Sequence, residues 1–140
     1  MPGVLTTASR VTCAHGGTVL TESTAALTIQ GSPVLLGNSI EGKSLAPPGP
    51  PTGCTTPPAA EPSGPTAIPC SAVADVVPPP PAPPRPPGPA VTAGASTVLT
   101  IGDAPVMLDT LVGVTNGMVG KVTPQPGLSA TANQSALTAS

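Results

Sequence analysis

The sequence predicts a small all-β domain, and three observations predict it. The apolar residues are Val, Leu, Ala and Ile set among many Thr, a mix that fits a pleated surface better than a helix. No Phe, Tyr or Trp occurs in the 140 residues, so the largest core-building side chains are missing. A strand-turn-strand pattern also occurs twice. Ala26-Leu27-Thr28-Ile29-Gln30-Gly31-Ser32-Pro33-Val34-Leu35-Leu36 is matched by Val98-Leu99-Thr100-Ile101-Gly102-Asp103-Ala104-Pro105-Val106-Met107-Leu108, at a constant offset of 72 residues. Identities at Leu-Thr-Ile, Pro-Val and the last Leu favour an internal duplication over chance likeness among strands.

Each copy reads as a hairpin. Gly31 and Gly102-Asp103 supply the turn chemistry between β-rich runs. Pro33 and Pro105 fall just past the turn, where a residue without an N–H is tolerated at an edge or a non-bonding position. A further segment precedes each copy: Ser9–Val19 before the first, and Ala90-Val91-Thr92-Ala93-Gly94 before the second. The stretch from Asp109 to Val119 is apolar and β-branched, with Gly113 and Gly117 inside it. It reads as another strand and turn, with Asn116-Gly117 as a hairpin signal. Asp103 and Asp109 read as turn residues. The tail, 123–140, is small and polar and expects to be ordered only by docking on something.

The prolines lie in two blocks. Residues 46–69 hold nine of the 23, and residues 78–89 hold nine more. Such runs cannot donate to a ladder and favour extended polyproline II. The second block reads as a stiff surface loop or spacer. The first carries Cys54 and Cys70 and so has a structural duty. The expectation is one domain over 1–140, with both blocks as inserted loops.

The strongest chemistry lies in the three cysteines and the single histidine, Cys13, His15, Cys54 and Cys70. One disulfide plus a free thiol, buried apolar cysteines and a surface histidine are the alternatives. Spacing and count argue against them. On a strand, Cys13 and His15 would share a face. Cys54 and Cys70 sit in Pro/Gly-rich loops that can aim a side chain. An odd cysteine count fits a Cys₃His set better than a disulfide framework. Thiolate and imidazole ligands around a tetrahedral ion point to a structural Zn²⁺. A bound ion would help so small a core to fold.

Composition excludes several functions. Charged residues are 7% and the net charge is −2, so no nucleic-acid surface is expected from four Lys/Arg and no stacking aromatics. No stretch approaches the roughly 18 apolar residues of a membrane span. Met1–Thr7 lacks the basic and apolar regions of a signal peptide, which predicts synthesis in the cytoplasm, where thiols stay reduced. No enzyme is expected. The sole His15 completes no Ser-His-Asp set, and Cys13 with His15 suits shared ligation better than a nucleophile pair.

Thr12-Cys13-Ala14-His15-Gly16-Gly17, the two hairpins with Gly31-Ser32-Pro33-Val34-Leu35-Leu36 and Asp103-Ala104-Pro105-Val106-Met107-Leu108, and the later Cys70 together resemble the PAAR-repeat and PAAR-like proteins. These are the spike tips of contractile injection systems, in phage-tail-like particles and type VI secretion. The resemblance covers 9–45 and 90–122. The literal Pro-Ala-Ala-Arg motif is absent, and the Pro-rich segments look like loop expansions. The resemblance implies a small cone of hairpins with Zn²⁺ near its apex. Its base would sit, as one copy, on a trimeric β-helical spike protein. It further implies piercing of the target envelope on contraction, release or delivery outside the cell within an assembled particle, and a role in carrying effector proteins. The lack of a long extra domain predicts no fused enzymatic effector. Family members usually ligate Zn²⁺ with several histidines and one cysteine, whereas here the set would be Cys13, His15, Cys54 and Cys70. Val34, Leu36, Val106 and Leu108 would contribute to an apolar base or, equally, pack within the tip. The rival reading is a small zinc-stabilised β-domain that recruits partners through its Pro-rich loops.

Overall fold

A computed structural model describes residues 2–14, 16–47, 53–54, 70–75, 88–117 and 127–139. Among these the chain is all-β, broken by one 3₁₀ turn at Gly37–Ser39. The strands are β1 (Arg10–Cys13), β2 (Thr28–Ile29), β3 (Ser32–Pro33), β4 (Val91–Ile101), β5 (Ala104–Gly113) and β6 (Leu128–Thr131). No helix among the described residues is long and apolar enough to cross a membrane.

The two hairpins expected from sequence form, and their registers correspond. Thr28 pairs with Pro33 and Ile29 with Ser32, while Thr100 pairs with Pro105 and Ile101 with Ala104. The first turn holds Gln30 and Gly31 at φ 52° and 85°, the left-handed pair that matches strand twist in a two-residue hairpin. The second hairpin is much longer. β4 begins at Val91 and runs into the repeat without interruption, with three register shifts along the β4–β5 pair. Gly94 lies at the second of them, between Ala93 and Ala95, at φ 101°, where an added Cβ would stand 2.5 Å from Leu111 Cα.

Three chain segments close a ring below these hairpins. Thr6 bridges Val34, Leu36 bridges Val106, and Leu108 bridges Val4. The amides follow the same cycle: Leu35 N donates to Leu5 O at 2.9 Å, Met107 N to Leu35 O at 2.8 Å, and Leu5 N to Met107 O at 2.9 Å. Segments 3–6, 33–36 and 105–108 therefore occupy corresponding places. The first has its own outer strand, at the far end of the chain. Gly3 pairs with Thr138, Val4 N donates to Leu137 O, and Ala139 N donates to Pro2 O.

Alternation along the ring strands builds two cores, because successive strand residues face opposite ways. Val4, Val34, Val106 and Leu108 enter one, with Ile29 and Ala139 and with Leu27, Leu99 and Leu137 at its edge. Leu5, Leu35 and Met107 enter the other, with Val11, Ile40, Val73, Leu111 and all three cysteines. Of the residues expected at an apolar base, Val34, Val106 and Leu108 are thus interior, and Leu36 is half-buried against them.

Two expectations are corrected, and that of the tail is made specific. Asp109–Gly113 is no separate strand but the second half of β5, and Asp109 lies within that strand rather than in a turn. Asn116-Gly117 makes no two-residue turn, since the ladder partner of Val114 is Gly127. The tail docks on its own N-terminal region: β6 pairs with β1, from Arg10↔Thr131 to Cys13↔Leu128, and Leu137–Ala139 line Pro2–Val4. The proline blocks lie largely outside the described residues.

Candidate metal centre

Cys13 ends β1. The chain then turns: Gly16 N donates to Cys13 O at 2.9 Å, Cys13 N to Gly17 O at 2.8 Å and Val19 N to Val11 O at 2.8 Å. Strand 11–13 and return strand 17–19 thus enclose a tight loop, with Gly16 at φ 85°. β1 stops at Cys13. His15 itself lies outside the described residues.

Cys54 and Cys70 come to the same place from loops. The three Sγ atoms all lie within 4.8 Å of one another. None is disulfide-bonded, and the residues are 3%, 2% and 0% exposed. Tetrahedral thiolates at a Zn–S distance of about 2.3 Å sit about 3.8 Å apart, so these sulfurs are close enough to bind one metal ion.

Each sulfur accepts a hydrogen bond. Gly17 N donates to Cys13 Sγ at 3.2 Å, Cys70 N to Cys54 Sγ at 3.2 Å and Thr115 Oγ1 to Cys70 Sγ at 3.1 Å. Donors aimed at sulfur favour the thiolate, the form a metal needs. Without an ion, burial dominates. It pushes the Cys70 thiol up to about 12, against the Thr115 hydrogen bond, with Cys13 and Cys54 adding to the rise. A divalent cation reverses that balance by replacing three crowded acids with three bound anions.

The supporting residues escape a search for ligand types. Gly17 is required by close approach: a Cβ there would lie 2.9 Å from Cys54 N and 3.1 Å from Cys13 Sγ. Asn116 holds the chain after Cys70. Its Oδ1 accepts from Ser71 N at 2.9 Å and Ala72 N at 3.0 Å, and its Nδ2 donates to Ser71 Oγ at 2.8 Å. Thr115 is fully buried, although threonine is so common in this chain that its type alone signals nothing. Glu41 ties in the start of β4, its carboxylate accepting from Ala90 N and Val91 N at 2.8 Å each.

Compared with protein-family models, curated proteins and solved structures, the chain matches none.

Proposed function

We propose that this chain is a metal-stapled cap for a three-fold-symmetric partner, the tip of a trimeric β-helical spike in a contractile injection system. The observation that carries the reading is the closed ring of segments 3–6, 33–36 and 105–108. A single chain that caps a trimer must offer three similar surfaces to three identical ones. Three similarly paired hairpins around one axis meet that need: 28–33, 100–105 and the hairpin split between 2–4 and 137–139. Leu27, Leu99 and Leu137 take matching half-buried places in them. On this reading the hairpins are copies of one unit, arranged as a small cone.

The metal in this proposal is a structural Zn²⁺ on Cys13, Cys54 and Cys70, with His15 as fourth ligand. Four protein ligands leave no open position for water, so the site holds the tip rigid and performs no hydrolysis. It does so in a chain whose core lacks aromatics.

The test is stoichiometry. The purified chain is mixed with a trimeric β-helical spike, and the complex is weighed by light scattering. One chain per trimer is expected. Three chains per trimer, or no complex, would sink the proposal.

A further inference from the structure

The three thiols can form more than a metal site. Cys13 is fixed in the β1–β6 ladder opposite Leu128. Cys70 is held by Thr115 at its sulfur and by Asn116 at Ser71 and Ala72. Cys54 comes to them from a long connection. Gly53 and Cys54 are the described residues of the span 48–69, and both are buried. The Cys54 sulfur rests on the backbone of Cys70, accepting its N–H at 3.2 Å.

We propose that Cys54 and Cys70 are a disulfide-forming pair that takes over the staple when the ion is lost in an oxidising medium. The proposal rests on the metal reading for its trigger alone. The oxidant is a small-molecule disulfide such as glutathione disulfide. The Cys54 thiolate attacks one of its sulfurs, the S–S bond breaks, and one glutathione leaves. The Cys70 thiol then attacks the Cys54 sulfur, losing its proton as it does so, forms the Cys54–Cys70 bond and expels the second glutathione. Two protein thiols are oxidised by two electrons, one disulfide is reduced to two thiols, and both protons end on glutathione. Cys13 stays a thiol. While the ion is bound, all three sulfurs are engaged and closed to this exchange. A chain carried from a reducing to an oxidising compartment would keep 54 tied to 70 by either bond.

The experiment uses the full chain, stripped of metal by a chelator and incubated with glutathione disulfide. The products are alkylated and mapped by peptide mass. The expected result is loss of two of the three thiols, with a Cys54–Cys70 link and alkylated Cys13. Cys13→Ser should leave the product unchanged, and Cys54→Ser should abolish it. The same oxidation in denaturant gives the reference mixture of pairings. Links through Cys13, intermolecular products, no reaction, or a native-buffer product identical to the denatured mixture would each overturn the proposal. Metal content of the untreated chain is measured in parallel. A chain purified without metal that still forms the pair would fail the metal reading and leave this one standing; a zinc-loaded chain whose stripped form does not pair would do the reverse.

Discussion

The hydroxyl of Thr115 donates to the sulfur of Cys70 at 3.1 Å, joining residues 45 apart in the sequence. Because β5 starts in the ring and the chain reaches Thr115 two residues after β5 ends, this bond links the thiol cluster to the strand that helps build the ring. Thr115→Val keeps the shape and removes the donor. Loss of one outer partner of a ligand should weaken metal binding about 10- to 100-fold, with the fold intact. Competition against a chromophoric chelator measures it, and unchanged affinity would remove Thr115 from the site.

Zinc should be present at one per chain, and Cys13→Ser, Cys54→Ser and Cys70→Ser should each lose it along with thermal stability. Elemental analysis and calorimetry on the same samples decide this. A metal-free chain that stays folded would contradict the structural role.

The metal-free protein should weaken in alkali. The Cys70 thiol, ordinarily near 9.0, is pushed up to about 12 by burial. The folded state therefore holds its proton more tightly than the unfolded one. That contribution is fully present below pH 9.0 and is lost as pH rises toward 12. Chemical unfolding across this window should show a fall that Cys70→Ala lacks. The zinc-loaded chain should not show the fall, since its sulfurs are already anions.

Gly17→Ala places a methyl 2.9 Å from Cys54 N. No left-handed φ is involved, so the effect is one of space. Cys54 must move, and metal affinity should drop while the ring stays folded. Amide exchange at Val4 and Val34, whose side chains enter the other core, should be unaltered. Faster exchange there would mean that the two cores are less independent than their separate packing implies.

Gln134→Ala tests the split hairpin. The Gln134 amide donates to Val4 O at 2.9 Å and Leu137 O at 2.8 Å, and its oxygen accepts from Leu137 N at 2.8 Å. Ser23 Oγ donates to Val34 O at 2.6 Å, the corresponding carbonyl in the first hairpin. Removing the Gln134 amide should cost about 1–2 kcal/mol, from carbonyls left unpaired. Rapid exchange should be confined to 137–139. A neutral effect would show that water replaces the amide without loss.

Much of this was legible in the sequence. β-branched and Thr-rich runs gave strands, the 72-residue offset located two hairpins with corresponding pairings, and cysteine chemistry brought together Cys13, Cys54 and Cys70. The remainder was hidden for identifiable reasons. The outer strand of the third hairpin, Leu137-Thr138, follows its inner strand, Gly3-Val4, by nearly the whole chain and in reversed order, so no local repeat exists to find. Asp109–Val119 read as a new strand because Asp and Gly suggest turns, yet Asp109 continues a ladder whose partner is set by tertiary pairing. Asn116-Gly117 read as a turn because the dipeptide favours one. Its amide was instead recruited by Ser71 and Ala72, whose backbone donors need an acceptor. Thr115 and Gly17 carry no ligand chemistry of their own and are found only once the sulfurs are placed.

The pairing of Gly3 with Thr138 also bears on biosynthesis. A ribosome delivers the two halves of that hairpin far apart in time, so this outer pair cannot form until residues 137–139 have been made. Until then the outer edge of Gly3 and Val4 stays unpaired. This is the slow, long-range closure expected of a fold with high contact order. Joining residues 2 and 139 through a short linker and opening the chain at Gln30-Gly31 would turn that last step into a local one. The same architecture should then form faster, from a chain that starts at Gly31.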